Sequence, residues 1–77
     1  MDLTPLEFEV VHYLREREGT PVSRQEMLGD IWGYDTIIGS NVVDAVVVGL
    51  RRKLDRHADL IETVRGVGYR FRRDARD

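Results

Sequence analysis

The stretch Asn41-Val42-Val43-Asp44-Ala45-Val46-Val47-Val48-Gly49-Leu50-Arg51-Arg52-Lys53-Leu54, followed by Ile61-Glu62-Thr63-Val64-Arg65-Gly66-Val67-Gly68-Tyr69-Arg70-Phe71, decides how this chain is read. Apolar residues at 43, 47, 50 and 54 fall on one helical stripe, which leaves the opposite face free to meet a partner. The valines at 42, 43, 46, 47 and 48 favour a strand by propensity. Strict alternation fails, because 42, 46 and 48 and also 43 and 47 are valine, so no polar face appears at period two. The stripe and the basic end therefore predict a helix. In the second segment Thr, Val, Tyr and Phe flank Gly66-Val67-Gly68, which predicts a hairpin with its tip at Val67. Arg65, Arg70, Arg72 and Arg73 decorate it. A helix sized for a major groove beside an arginine-bearing hairpin is a recurrent way to grip duplex DNA.

Two helix starts precede this region. Thr4-Pro5-Leu6-Glu7 offers a capping threonine, a proline at the first helical position and the glutamate of a capping box. Phe8, Val11 and Leu14 form the expected inward stripe, and Gly19 the stop. Ser23-Arg24-Gln25-Glu26 repeats the device, with Leu28, Ile31 and Trp32 as the apolar face and Gly33 as the end. Tyr34 to Ser40 forms a connecting loop. Ile37 and Ile38 within it either tuck onto the core or offer an apolar contact to another protein, and the core placement is the expected one. One domain, residues 1–73, is expected, with a disordered tail at 74–77.

Seventy-seven residues bury only about 60% of their unfolded surface, so the core is small. There is no cysteine, hence no disulfide and no thiolate metal site. No secretory signal follows Met1, and the apolar run Ala45 to Val48 is far too short to span a bilayer. The net charge of −2 divides unevenly. Residues 1–40 set three arginines against eight carboxylates (net −5), and residues 41–77 set nine cations against six carboxylates (net +3). A basic face can bind phosphate while the far side stays acidic; a solvated surface of paired charges is the plainer reading.

Catalysis finds no support. His12 and His57 share no ligand spacing, and Glu7/Glu9 and Glu16/Glu18 are i, i+2 pairs that diverge on a helix. Gly66-Val67-Gly68 precedes no helix and so is not a phosphate loop. No catalytic residue, metal or cofactor is expected.

Leu3-Thr4-Pro5-Leu6-Glu7-Phe8, Val22-Ser23-Arg24, Ile31-Trp32-Gly33-Tyr34, Val43-Asp44, Leu50-Arg51-Arg52-Lys53-Leu54 and Thr63 through Phe71 together resemble the OmpR/PhoB-type effector domain of bacterial response regulators. The resemblance runs from Leu3 to Phe71. It implies an α+β, mostly α, winged helix-turn-helix: three helices plus a C-terminal β-hairpin wing. It also implies sequence-specific or shape-selective binding of double-stranded DNA, in the cytoplasm, under a phosphorylated receiver domain.

By that resemblance Arg65 is the wing arginine of the minor groove, where narrow A·T tracts attract a guanidinium. Thr63, Tyr69 and Trp32 would contact phosphate, and Arg70 belongs to the same wing. Asn41, Val42, Ala45, Val48 and Gly49 would lie on the DNA side of the third helix, with Arg51 and Arg52 clamping phosphates at its end. Asp35, Thr36, Ile37 and Ile38 stand in the loop that touches RNA polymerase, and members pair as head-to-tail dimers on direct repeats.

Two departures stand out. Val46, Val48 and Gly49 occupy positions where His, Arg, Ser or Tyr is usual, so bidentate base readers worth about 1–3 kcal/mol each are missing. Discrimination should then be weak, or rest on DNA shape and the wing. The antiparallel sheet that normally opens the family domain is also absent before Asp2, as expected for a fragment of a longer regulator. Its loss should bare Leu6, Val10 and Tyr13, a patch that invites a homodimer. The rival reading is a protein-interaction module on a winged-helix frame, against which stand the arginines at 51, 52, 65 and 70.

Overall fold

The computed structural model describes residues 2–73; Met1 and the tail 74–77, including the disorder expected there, lie outside the described residues. The first helix, α1 (Pro5–Glu16), starts where the sequence says it should. Thr4 Oγ1 accepts from the Glu7 amide at 3.1 Å, and Glu7 Oε1 accepts from the Thr4 amide at 2.9 Å. Past its end Gly19 takes a left-handed φ of 81°, and its amide donates to Phe71 O at 2.8 Å, tying the exit of α1 to the last strand.

The inward face of α1 is the expected one only in part: Leu14 is fully buried and Val11 packs on the core, but Phe8 does not. Glu7, Val10, Tyr13 and Leu14 are buried, while Phe8 is 59% exposed and Val11 half-buried. Helix α1 carries apolar residues on two flanks, and the flank with Val10, Tyr13 and Leu14 is the one that meets the core, with Lys53 reaching Glu7 Oε1 at its edge at 2.7 Å. That ion pair, with the Thr4 amide, holds the Glu7 carboxyl below its ordinary range. The patch expected at Leu6, Val10 and Tyr13 is therefore corrected: Val10 and Tyr13 belong to the core and Leu6 is half-buried.

A short strand, β1 (Val22–Ser23), leads into α2 (Arg24–Met27), capped by a second reciprocal box between Ser23 and Glu26. Leu28–Trp32 widens into a π-helical turn, closed by the Gly33 amide on Leu28 O at 3.1 Å and on Gly29 O at 3.0 Å. Gly33, at φ 114°, then reverses the chain. Helix α3 (Asn41–Leu54) confirms the helical reading of the valine-rich stretch. Val43, Val47 and Leu50 are fully buried, each worth about 1.5–3 kcal/mol of apolar burial.

A 3-10 segment (Asp55–Leu60) delivers the chain to β2 (Ile61–Val64), which pairs antiparallel with β3 (Gly68–Phe71). Strand β3 is central, with β1 on its other side. Thr63 opposes Tyr69, and Glu62 opposes Arg70. The hairpin tip lies one residue earlier than expected: the Val67 amide closes on Val64 O at 2.9 Å, with Arg65 and Gly66 between them and Gly66 at φ 79°. Gly68 is a strand residue instead. A β-carbon there would stand 2.2 Å from Val22 O, so its missing side chain is what lets β1 lie against β3.

Candidate nucleic-acid interface

Helix α3 is about 21 Å long at 1.5 Å per residue. With 43, 47 and 50 turned inward, helical geometry places Asn41, Ala45, Val48 and Arg52 along the opposite ridge, and all four are exposed. Val42 and Val46 are half-buried on the flank and pack on the core. Gly49 is placed differently from the expectation: a β-carbon there would point at Glu7 Oε2, 3.3 Å away. It lies where α3 approaches α1, between the core and the outer ridge, because the Glu7–Lys53 pair spans that seam.

The basic residues divide into spent and free. Arg51 donates to Ile61 O from Nε (2.9 Å) and Nη2 (2.6 Å), and from Nη2 to Thr63 Oγ1 at 2.9 Å. Its guanidinium stands 5.5 Å from the Tyr69 ring centre. Arg51 thus fastens α3 to the hairpin, and the phosphate clamp implied for it does not fit that placement. Arg70 is paired with Glu62 across the strands at 2.8 Å, on the sheet face opposite Tyr69, so its guanidinium is also committed.

Tyr69 is a correction of the same kind. The residue is 5% exposed and its hydroxyl donates to Asp44 Oδ1, so the phenol that the resemblance assigns to phosphate is engaged within the fold. Asp44 in turn receives Arg24 Nε at 2.7 Å. Burial, and then the hydrogen bond to Asp44, raise the Tyr69 phenol; the Tyr69 hydroxyl and Arg24 lower the Asp44 carboxyl. This cluster joins the start of α2, the first turn of α3 and the central strand, and so fixes the angle between helix and wing. The sequence reading overlooked it; Asp44 four residues after Ser40 and Tyr69 beside Gly68 carry no local signal of meeting.

Among the described residues the side chains of Arg15, Arg52, Arg56, Arg65 and Arg73 have no hydrogen bond or ion pair, and all are exposed; of these, Arg52, Arg56 and Arg65 lie at α3 and the wing turn. Arg52 ends the outer ridge of α3, and Arg65 forms the hairpin turn. Arg56, just beyond α3, was missed by the sequence reading; its cue was a cation in an otherwise acidic Asp55-to-Asp59 segment. Thr63 is exposed on β2, and Trp32 is half-buried against the core at the end of the π turn.

The loop after α2 is anchored at one end only. Tyr13 Oη donates to Asp30 Oδ2 at 2.6 Å, and the Tyr34 hydroxyl donates to Asp30 Oδ1. Burial and the bond to Asp30 push the Tyr13 phenol up to about 12. The Tyr34 ring lies where a side chain on Gly29 would stand, 2.3 Å from an added β-carbon. Beyond this anchor Ile37 is 99% exposed and Ile38 partly so. Their expected packing on the core is overturned, because neither belongs to the core cluster or to the residues packed against it.

Three helices, a three-stranded antiparallel sheet ending in a projecting hairpin, and a third helix with a free outer face define a winged helix-turn-helix protein. Residues 1–71 match the family model described as "Transcriptional regulatory protein, C terminal", and the chain belongs to that family, the OmpR/PhoB-type effector domains. The transcriptional regulatory protein PrrA of Mycobacterium leprae is 43% identical over 74 residues, which cover 94% of this chain and 32% of PrrA. The chain thus spans about a third of the curated relatives it matches. The crystal structure of the DNA-binding domain of Bacillus subtilis CssR aligns with a TM-score of 0.80 at 37% identity, over 91% of this chain and 77% of that one. The AdeR DNA-binding domain, solved in complex with an intercistronic region, aligns at 0.80 and 26% identity, over 94% of this chain and 74% of that one. Among the described residues no helix is long and apolar enough to cross a membrane.

Proposed function

We propose that this domain binds duplex DNA as the output domain of a response-regulator transcription factor, with α3 in the major groove and Arg65 in the adjacent minor groove. The observation that carries it is the placement of unpaired guanidiniums: Arg52 at the end of the outer ridge and Arg65 at the wing turn, while Arg24, Lys53, Arg70 and Arg72 are committed to carboxylates. The AdeR DNA-binding domain, a relative at 26% identity, was solved in complex with an intercistronic region, which supports binding of DNA by this fold. Thr63 and Trp32 supply phosphate contacts beside them, and Asn41, Ala45 and Val48 face the bases, with Val42 held on the flank against the core. Control by a phosphorylated receiver domain, pairing on direct repeats and a cytoplasmic location belong to this reading, and catalysis does not. The Asp35–Ile38 loop is the surface for RNA polymerase, because its isoleucines serve no packing purpose within the chain.

The test is fluorescence anisotropy of the purified chain against a mixed-sequence duplex across a salt series. Affinity should fall steeply with salt, and Arg65→Ala should weaken binding and reduce the log–log salt slope by about 1. Binding that ignores salt, or that Arg65→Ala leaves intact, refutes the docking. Absence of binding at low salt would put the protein-interaction reading in its place.

A further inference from the structure

The outer ridge of α3 carries its own account of which bases it suits. Ala45 is exposed and Val48 is 53% exposed at the middle of the ridge, between Asn41 at one end and Arg52 at the other. An exposed valine in a helix is disfavoured twice, by its stiff χ1 and by its wetted methyls. The core gives no reason for it, since Val43, Val47 and Leu50 fill the inward stripe completely. Of the four standard bases only thymine presents an apolar group in the major groove, its C5-methyl; the polar groups are as many in A·T (N7, N6, O4) as in G·C (N7, O6, N4), so the methyl is what an apolar ridge can tell apart. Asn41 can pair with N6 and N7 of adenine, so the one amide on the ridge suits the same base pair.

We propose that Ala45 and Val48 read pyrimidine 5-methyl groups in the major groove, so that α3 selects thymine, and equally 5-methylcytosine, by apolar contact. This rests on the DNA-binding reading above and names the chemistry that its ridge recognises. It is separate from the A·T preference of Arg65, which reads the minor groove. Burial of one methyl against the ridge contributes roughly a fourfold gain in affinity.

The test compares a duplex of alternating A·T steps between G·C clamps with the same duplex in which deoxyuridine replaces every thymidine. That exchange removes the methyls and leaves the minor-groove acceptors and phosphates in place. Affinity for the deoxyuridine duplex should fall roughly fourfold or more. In Val48→Ser, whose altered side chain is exposed, the ratio between the two duplexes should shrink toward one. Equal affinity of the native domain for both duplexes overturns the methyl reading and leaves DNA binding standing. So does a ratio that Val48→Ser does not change, which would assign it to DNA shape. Failure to bind either duplex at low salt overturns both readings.

Discussion

Asp44→Ala tests the idea that a buried polar cluster sets the angle between α3 and the wing. The carboxylate accepts the Tyr69 hydroxyl and Arg24 Nε, and it stands in the first turn of α3. Truncation strands a phenol whose ring is 5% exposed, at about 1–3 kcal/mol for an unsatisfied buried donor. The lower half of that range applies, because the Asp44 side chain is 41% exposed and water can follow it out. Loss of the half-exposed pair with Arg24 adds about 0.2–1 kcal/mol, and loss of a negative charge at the helix N-terminus about 0.3–1 kcal/mol. Alanine's better helix propensity returns about 0.5 kcal/mol. The net cost is about 2 kcal/mol, a large share of the roughly 4–11 kcal/mol expected for a chain of this length. Urea unfolding should show the midpoint fall at unchanged slope, with Tm lower by about 8–16 °C. The decisive comparison is Asp44→Ala in a Tyr69→Phe background, where no hydroxyl is left to strand, and the cost should shrink by about 1 kcal/mol. Additivity of the two substitutions within about 0.3 kcal/mol would refute the coupling.

Four further outcomes rest on the same geometry. Gly68→Ala places a β-carbon against Val22 O and should force β1 off β3, costing about 1–3 kcal/mol in urea unfolding; a neutral substitution would show that the close approach is not there. Glu7, Asp30 and Asp44 all have carboxyls held below their ordinary values, so the unfolded chain binds more protons in acid. Their stabilisation is full above the ordinary carboxylate range and should be lost as pH falls from about 5 toward 2, read by the urea midpoint. Tyr13, whose phenol is raised to about 12, gives the opposite limb: its contribution is complete below about 10 and should fade as pH rises from there to about 12, in step with tyrosinate absorbance. Ile37→Ser should leave Tm and DNA affinity within error, because the side chain is 99% exposed, yet lower transcription in a reconstituted polymerase assay. Unchanged transcription would remove the loop from the polymerase surface.

What could be read from the sequence was what local chemistry determines. Both capping boxes, the glycine stops at 19 and 33, and the 43/47/50 stripe hold because each depends on residues within two helical turns. The phase of α1 was not legible, since Phe8 and Val11 compete with Val10 and Tyr13 for the core, and only packing against the rest of the fold decides between the two flanks. The hairpin tip slipped by one residue because two glycines lie within reach of it, and only one supplies the positive φ; the other admits β1. Arg51 and Arg52 look alike in sequence. One helical step of about 100° turns the first toward Ile61 O and leaves the second in solvent.

That last distinction also accounts for a chain of net charge −2 carrying the phosphate-binding face proposed for it. Charges within a few ångströms cancel each other, whereas those beyond a Debye length of about 8 Å act almost independently in physiological salt. Glu7 is cancelled by Lys53, Asp44 by Arg24, Glu62 by Arg70 and Asp59 by Arg72. Arg17 is held over the Tyr13 ring at 3.7 Å, away from α3. What is left at the third helix and the wing is Arg52 and Arg65 with no carboxylate partner. Formal charge sums the whole molecule, but a phosphate meets only the guanidiniums that the fold has left unspent. Capacity for DNA is therefore set by which arginines the carboxylates fail to reach, and substitutions that create or remove partners should alter it more than those that change net charge elsewhere.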